Sequence, residues 1–453
     1  MDKIIVTVGP STESTSNLNY ILNKTKLIRL NLSHNTIDWH KKIIKKIKAI
    51  RKDAVILVDI PGIKPRTLNT LNTTIKKNQK VVFYYGKKPK NSKHLLIPLS
   101  NNIPKSKNLQ NSNFFSVDDG NYKFRILEQN RNYILGKSID DFVLEKSKGI
   151  NIRRSVFNSK TQEKKYFDSL KIVSKLDINA VGLSYIQNPN TIKKIKSKFK
   201  KLIIISKVEN LEGIINLDSI CKASDVIMID RGDLSAEIGE ENLFESIIDI
   251  NITSKKYGKP VIMATENLRS MTKRNTPDKS EIMSIGITKM LGIDSIMLSE
   301  ETATSKNWKV VVNWLDNFNK KSKIKNNLLF ESNEFNNPLF DKINSTQKTN
   351  IILFLKKGYL ISEFKKIDPK KKIFVFSDNK LLLSHLEFYS NIFCYYVKKI
   401  DKKISQAFIN REIKLNKNKI FEKCNQVMLI FTSFPVKGSK ANTFSLLKKS
   451  NFN

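Results

Sequence analysis

Cysteine is scarce in this sequence, and the few cysteines are far apart. The three are Cys221, Cys394 and Cys424, and none belongs to a Cys-x-x-Cys pair or lies near a cluster of histidines. This spacing argues against a disulfide framework and against a structural zinc site. We therefore expect the protein to work in a reducing compartment.

Long apolar runs are also missing. A membrane helix needs about 18–20 consecutive apolar residues, and no stretch of the chain reaches that length. The first ten residues lack the basic, apolar and small-residue regions of a signal peptide. From these two absences we expect a cytoplasmic protein that does not enter a membrane.

Acidic residues are few compared with basic ones. Lysine and arginine number 81 against 42 aspartates and glutamates, which gives a net charge of +39. Such an excess suggests a nucleic-acid partner, but the lysines recur from end to end and aromatic side chains do not alternate with them as base-stacking platforms. We expect no specific nucleic-acid binding, and we expect the charge to attract anionic phosphorylated substrates.

Eight short apolar runs, separated by segments of helical length or longer, predict parallel strands. Because their polar residues are concentrated at the carboxyl ends, the pattern predicts an α/β fold, a (β/α)8 TIM barrel with its active site at that face. The runs are residues 3–8, 27–32, 54–59, 180–186, 202–208, 226–229, 260–264 and 295–298.

A chain of 453 residues is too long for one hydrophobic core, and its pattern changes twice. Between residues 67 and 148, short strands follow one another without helices, which predicts a small β domain inserted in the barrel of residues 1–66 and 149–325. After a Lys/Asn-rich linker near 320–337, residues 338–453 predict a C-terminal α/β domain. The strands of the insertion are predicted at residues 80–85, 94–98, 114–117 and 133–136.

The stretch of residues 203–233 has the richest chemistry. Lys207 and Glu209 end the fifth apolar run, and Gly232 and Asp233 follow the sixth. Two neighbouring strand ends would thus bring together two carboxylates for a divalent ion and a lysine whose charge suits a transferring phosphoryl group. Taken alone, Lys-x-Glu is more typical of an ordinary ion pair.

Other motifs, in order from Thr7 to Ala303, favour a metal and phosphoryl site over an ordinary ion pair. Together they resemble those of the pyruvate kinase family, whose inserted β-barrel domain acts as a lid. The motifs are TVGPST from Thr7, RLNLSH from Arg29, DIPGIKPR from Asp59, VDDG from Val117, KGIN from Lys148, SKVENLEG from Ser206, DRGDL from Asp230, ATENLRSM from Ala264 and MLSEETA from Met297.

The resemblance implies a phosphotransferase that moves the phosphoryl group of phosphoenolpyruvate to ADP and gives pyruvate and ATP, the last step of glycolysis. It implies Glu209 and Asp233 as ligands of Mg²⁺ or Mn²⁺. Lys207 would contact the transferred group, and Arg29 would hold the phosphate.

The resemblance also implies how the rest of the substrate is bound. The amides of Gly232 and Asp233 would bind the substrate carboxylate. Thr265 would complete that pocket and belong to the proton route, although a hydroxyl that caps the following helix is an equal interpretation. Nucleotide contacts would come from His34, Arg66, Lys148 and Ser299, and the family's assembly is a homotetramer.

A monovalent-cation site is implied at Asn31, Ser33, Asp59 and the carbonyl of Ile60. Family members that need K⁺ have Glu where this chain has Lys64, and those with Lys tend not to need it. Because a fixed ammonium can replace a bound cation in orienting anionic substrates, we expect activity without K⁺. An ordinary surface lysine is the alternative interpretation.

Three acidic residues depart from the family pattern. Asp230 replaces the usual Ala, Glu266 replaces Gln or Asn, and Glu300 replaces Gly beside the nucleotide, where carboxylates repel phosphates unless they are paired. Two alternatives therefore stay open: a catalytically silent regulatory or binding protein of this family, and another metal-dependent barrel lyase or aldolase of pyruvate or phosphoenolpyruvate.

Overall fold

A closed barrel of eight parallel strands forms the centre of the protein. The computed structural model describes residues 3–89, 93–106, 113–118, 120–322, 346, 349–356, 371–400, 405–422, 424–431 and 443–452. Numbered along the whole chain, the barrel strands are β1 (Lys3–Thr7), β2 (Leu27–Asn31), β3 (Val55–Ile60), β14 (Ala180–Leu183), β15 (Ile203–Val208), β16 (Val226–Asp230), β17 (Val261–Ala264) and β18 (Ser295–Leu298). Each pairs with the next, and β18 pairs with β1.

These strands confirm the predicted (β/α)8 TIM barrel. The fourth predicted strand is too long. It was predicted to continue to residue 186, whereas β14 ends at Leu183. The chain leaves the sheet there, and Tyr185 adopts a φ of +59°. In the part of the chain that the structure describes, no helix has both the length and the apolar character that a bilayer crossing requires.

Helices surround the barrel and bury one apolar face each. In α2, Thr36 caps the first turn by accepting the amide of Trp39, and Ile43 and Ile47 are buried, whereas four lysines of the helix are exposed. The helices are α1 (Thr15–Lys24), α2 (Ile37–Ile50), α3 (Ser159–Val173), α4 (Pro189–Lys198), α5 (Leu211–Ile215), α6 (Leu217–Ala223), α7 (Arg231–Ile238), α8 (Leu243–Lys256), α9 (Lys279–Met290), α10 (Glu300–Ala303) and α11 (Trp308–Lys321), with 3-10 turns at Glu240–Asn242 and Arg269–Thr272.

The insertion after β3 is a β structure, as predicted. Its strands are β4 (Thr73–Ile75), β5 (Lys80–Tyr84), β6 (Leu95–Pro98), β7 (Lys105–Ser106), β8 (Phe114–Val117), β9 (Tyr122–Gln129), β10 (Tyr133–Ser138), β11 (Phe142–Leu144), β12 (Ile150–Ile152) and β13 (Ser155–Val156). Six of them form one sheet in the order β12-β8-β9-β10-β5-β6. In its core, the rings of Phe115 and Phe124 stack with centroids 5.0 Å apart. The long strand β9 was not predicted, because charged residues interrupt its apolar pattern.

A separate five-stranded sheet lies in the C-terminal part of the chain. Its strands are β19 (Asn350–Phe354), β20 (Ile373–Ser377), β21 (Ile392–Tyr396), β22 (Gln426–Phe431) and β23 (Thr443–Lys448), with helices at Lys380–Leu386, Gln406–Leu415 and Lys417–Ile420 and a 3-10 turn at Lys449–Phe452. The first four strands are parallel and β23 is antiparallel to β22. Helix α11 includes the first two residues of the predicted linker, and residues 323–337 lie outside the described residues.

The C-terminal part closes the amino end of the barrel. Phe388 packs in the interior cluster that contains the first residues of β2, β3 and β15. Next to it, Glu387 pairs with Lys3 at 3.1 Å and with Lys26 at 3.2 Å. An active site is therefore expected at the opposite, carboxyl end of the strands.

Candidate active site

Strand alternation directs four charged side chains into the carboxyl end of the barrel. Along β15 and β16 the side chains that face the interior are those of Ile203, Ile205, Val226 and Met228. Because side chains alternate with a period of two, Lys207 and Asp230 continue these inward rows. By the same rule Arg29 follows Leu27 on β2, and Asp59 follows Val55 and Leu57 on β3.

Lys207 lies at the centre of this group. Its Nζ is 2.7 Å from Glu209 Oε1, 3.2 Å from Asp230 Oδ2 and 3.3 Å from Asp59 Oδ2, and it donates to Ser184 Oγ at 3.1 Å. The side chain is only 5% exposed. Burial disfavours the ammonium, but the three carboxylates outweigh it and raise the pKa of Lys207 well above its ordinary value. Lys207 is therefore a fixed cation at neutral pH.

Arg29 supplies a second cation beside the first. Its Nη2 and Nε donate to Asp59 Oδ2 at 2.7 and 3.2 Å, and its Nη1 donates to Thr7 Oγ1 at 3.2 Å. Asp59 is buried, which disfavours its charge, yet Lys207 and Arg29 lower its pKa below the usual range. Two cations thus share one carboxylate oxygen, which fixes them next to each other.

Three carboxylates converge on one side of Lys207. Glu209, Asp230 and Asp233 each offer an oxygen, and these atoms lie within 4.8 Å of one another. Burial raises the pKa of Glu209 to about 8, and the charges of Asp230 and Asp233 act in the same direction. A divalent ion would offset this repulsion, and hard carboxylate oxygens are the ligands that Mg²⁺ and Mn²⁺ prefer. The donor set therefore fits such an ion, and Asp230 belongs to that set.

Asp233 lies in the first turn of α7, where Lys64 pairs with its Oδ1. Burial alone would raise the pKa of Asp233, but Lys64 lowers it well below its usual range. The Lys64 side chain passes Gly149, where an added Cβ would overlap the end of the lysine and displace its ammonium. Of the predicted cation site, Asn31 is the register partner of Asp59 and its Oδ1 accepts the Ser33 amide at 3.0 Å. Ile60 is buried.

Thr265 lies in a tight turn after β17. Its φ of +59° is in the left-handed region, which is rare for a β-branched residue. Its hydroxyl lies 3.0 Å from Asp230 Oδ1, to which it donates, and it accepts the Gly232 amide at 3.2 Å. The Arg231 guanidinium holds the turn by donating to the Thr265 carbonyl. The short helical turn that follows has Leu268 at its N-cap, so Thr265 does not cap it.

The four predicted nucleotide contacts lie on two parts of the fold. His34 and Ser299 are on barrel loops after β2 and β18, whereas Arg66 and Lys148 lie on the two segments that join the insertion to the barrel. Lys148 pairs with Asp118 at 2.8 Å. Burial opposes the charge of Lys148, but the hydrogen bond to Asp118 helps to raise its pKa to about 12.

The other two acidic residues that depart from the family pattern follow strands β17 and β18. Glu266 and Glu300 are exposed, and the field of Glu266 acts on the buried guanidinium of Arg231. The positive charge of Arg231 thus partly offsets the charge of Glu266.

Three buried polar residues near Asp233 are not among those that the sequence predicts for the site. Asn151 donates to the Tyr185 hydroxyl at 3.1 Å and lies 3.4 Å from both Asp233 Oδ1 and Glu237 Oε1. Burial raises the pKa of Glu237 to about 8. Asn151 ends the KGIN motif, which is a usable signal, but nothing local distinguishes Tyr185 or Glu237.

Comparisons with known proteins agree with this geometry. Residues 1–310 match a family model described as the barrel domain of pyruvate kinase. The pyruvate kinase of Thermococcus litoralis is 29% identical over 318 residues, and that of Clostridium perfringens 30% over 323 residues. Each match covers 67% of this chain and 66% of the relative, slightly less than two thirds of its length. The crystal structure of pyruvate kinase from Pyrobaculum aerophilum has the same fold, with a TM-score of 0.78, 20% identity, and coverage of 99% of this chain and 98% of that one.

Proposed function

This chain belongs to the pyruvate kinase family, and on that premise we propose that it transfers the phosphoryl group of phosphoenolpyruvate to ADP, giving pyruvate and ATP. The observation that carries the proposal is the group at the carboxyl end of the barrel. There two fixed cations, Lys207 and Arg29, stand beside three converging carboxylates. This transfer requires cations that bind the phosphoryl group and, next to them, oxygen ligands that bind a divalent ion.

We propose Glu209 and Asp233 as the ligands of Mg²⁺ or Mn²⁺, with Asp230 beside them. When bound, the ion supplies positive charge to the substrate oxygens. The amides of Gly232 and Asp233 lie in the first turn of α7, where backbone N–H groups favour an anion such as the substrate carboxylate. The Gly232 amide also donates to Thr265 Oγ1, so the hydroxyl and the carboxylate would share it. Without an ion, the three neighbouring acidic residues would repel a phosphate. The positive charges of Lys207 and Arg29 are therefore needed to bind it.

Lys207 and Arg29 orient the phosphoryl group and stabilise its charge during transfer. In that step the bond between phosphorus and the enol oxygen breaks, and a new bond forms to a terminal oxygen of ADP. The electron pair stays on the departing enolate. Because Asp59 holds both cations, they are pre-organised and need not be reoriented during the reaction.

The enolate then takes a proton at its methylene carbon and becomes pyruvate. We assign Thr265 to this proton route, because its hydroxyl is fixed between Asp230 and the Gly232 amide.

We propose that ADP is bound by His34, Arg66, Lys148 and Ser299. Since Arg66 and Lys148 lie at the base of the insertion, we propose residues 67–148 as a lid over the nucleotide.

Turnover without K⁺ is expected because Lys64 already provides a fixed positive charge beside Asp233. Rates in K⁺-free buffer and after addition of KCl should agree within about twofold, while Lys64→Glu should lose about tenfold or more without K⁺. Lys80→Glu, at an exposed site of the insertion, changes the net charge equally and should leave the rate unchanged. Wild-type activity that appears only with K⁺ would contradict the assignment.

A homotetramer is proposed for the assembly. Apolar side chains on the outer faces of α8 and α9 support it, since Phe244 is 58% exposed and Met283 is 65% exposed. Covering such side chains in a subunit interface removes them from water. Light scattering should give four times the mass of one chain, and a monomer at assay concentration would refute the proposal.

We propose the cytoplasm as the compartment, where the three free thiols stay reduced.

Pyruvate release from phosphoenolpyruvate, followed with a coupled dehydrogenase, tests the activity. Pyruvate should form only when ADP and Mg²⁺ or Mn²⁺ are both present. Pyruvate without ADP would indicate a phosphatase or lyase, and no pyruvate under any condition would indicate a silent member of the family. Either result would refute the proposed activity.

A further inference from the structure

A buried polar network lies behind Asp233. Besides Lys64, the Oδ1 atom of Asp233 is approached by the Asn151 amide at 3.4 Å, and that amide donates to the Tyr185 hydroxyl at 3.1 Å. The Tyr185 hydroxyl is also close enough to Asp233 to help lower the pKa of that carboxyl. Asn151 is fully buried and Tyr185 is 2% exposed. A carboxylate with several fixed donors has little freedom to rotate.

The backbone and its neighbours fix Tyr185 in this position. Tyr185 follows β14 with a φ of +59°, and its ring packs edge-on against Phe157 with centroids 4.9 Å apart. Ile63 completes this small apolar cluster. The ring is therefore held by packing, and the hydroxyl is the only polar atom of the side chain that meets the network.

Asn151 connects the hydroxyl to the helix that bears Asp233. Its amide nitrogen donates to the Tyr185 hydroxyl at 3.1 Å and lies 3.4 Å from Glu237 Oε1. Glu237 is four residues after Asp233 and therefore lies on the same face of α7. Ser155 donates to the other oxygen of Glu237 at 2.6 Å, so both ends of the network are anchored.

We propose that Tyr185 and Asn151 are positioning residues for the divalent-ion site, because together they fix the orientation of Asp233 relative to Glu209. This inference rests on the proposed function. Neither residue needs to touch the ion or the substrate. Groups of this kind orient the ligands themselves, and their loss typically lowers metal affinity by about 10–100-fold.

Tyr185→Phe removes one hydroxyl and keeps the packed ring, which makes it the sharpest variant. Mn²⁺ binding to the substrate-free protein, measured by paramagnetic resonance, should weaken about tenfold or more. The rate at low Mn²⁺ should fall in parallel and recover at high Mn²⁺, a rescue that a merely structural defect would not show. Tyr389→Phe is the matched control, since that buried hydroxyl donates to the Gly258 carbonyl at the other end of the barrel.

Asn151→Ser provides a second variant with the same expectation. Melting temperatures of all variants separate a loss of folding from a loss of affinity. Mn²⁺ affinity within about twofold of wild type in folded Tyr185→Phe would overturn the inference, as would a wild-type protein that binds no Mn²⁺. If affinity falls as expected but the wild type transfers no phosphoryl group, the inference stands and only the proposed activity fails.

Discussion

Lys207→Met is expected to lower kcat by about 10³-fold or more, because it removes the cation at the centre of the site while keeping a long, flexible side chain. The lost charge stabilises the transferring phosphoryl group more than the bound substrate, so kcat should fall much more than KM rises. Steady-state kinetics with saturating Mn²⁺ and ADP measure both constants.

Lys289→Met is the matched control for that variant. Lys289 is a buried lysine on α9, and its Nζ donates to the Asn319 carbonyl at 3.3 Å. Its replacement should cost stability and leave kcat within about twofold, since it lies outside the phosphoryl site. A near-normal kcat in folded Lys207→Met would remove Lys207 from its assigned role.

Glu209→Gln is expected to weaken Mn²⁺ binding by about 100-fold or more, because the amide keeps the shape but removes the charge of a buried ligand. Burial raises the pKa of Glu209 to about 8, so a proton competes with the ion for this carboxyl near neutral pH. Wild-type affinity should therefore rise as the pH increases towards 8 and change less above it. This rise should be much smaller in the variant.

The control for Glu209 is another buried glutamate, far from the site. Glu387 pairs with Lys3 and Lys26 at the amino end of the barrel, so Glu387→Gln should lower stability without changing Mn²⁺ affinity. Titrations with Mn²⁺ at several pH values compare the three proteins. Equal affinity in Glu209→Gln and wild type would exclude Glu209 as a ligand.

The barrel could be predicted from sequence because its strands are buried on both faces. Such strands are continuous apolar runs, and the polar residue that ends each run marks the carboxyl face. Period-two alternation also explains why Lys207 and Asp230 point inward, since each continues an interior row. Strand β9 of the insertion was missed because only Phe124 is buried in it and Lys123, Arg125 and Glu128 interrupt its apolar pattern.

Long-range contacts in the site could not be predicted in the same way. Lys64 lies in a loop between two prolines, and only the folded chain brings it past Gly149 to Asp233. Tyr185 depends on a left-handed backbone conformation that a tyrosine rarely adopts. Partners separated by 82 residues, such as Asn151 and Asp233, leave no periodic signal in the sequence.

Phosphorus NMR of the reaction itself tests the central claim most directly. With phosphoenolpyruvate, ADP and Mg²⁺, the phosphoenolpyruvate signal should decline while the γ-phosphate signal of ATP grows by an equal amount and no inorganic phosphate appears. Lys207→Met should slow both the decline of the phosphoenolpyruvate signal and the growth of the ATP signal, and Lys289→Met should not. Growth of inorganic phosphate in place of ATP, or a phosphoenolpyruvate signal that does not change, would contradict direct phosphoryl transfer by this protein.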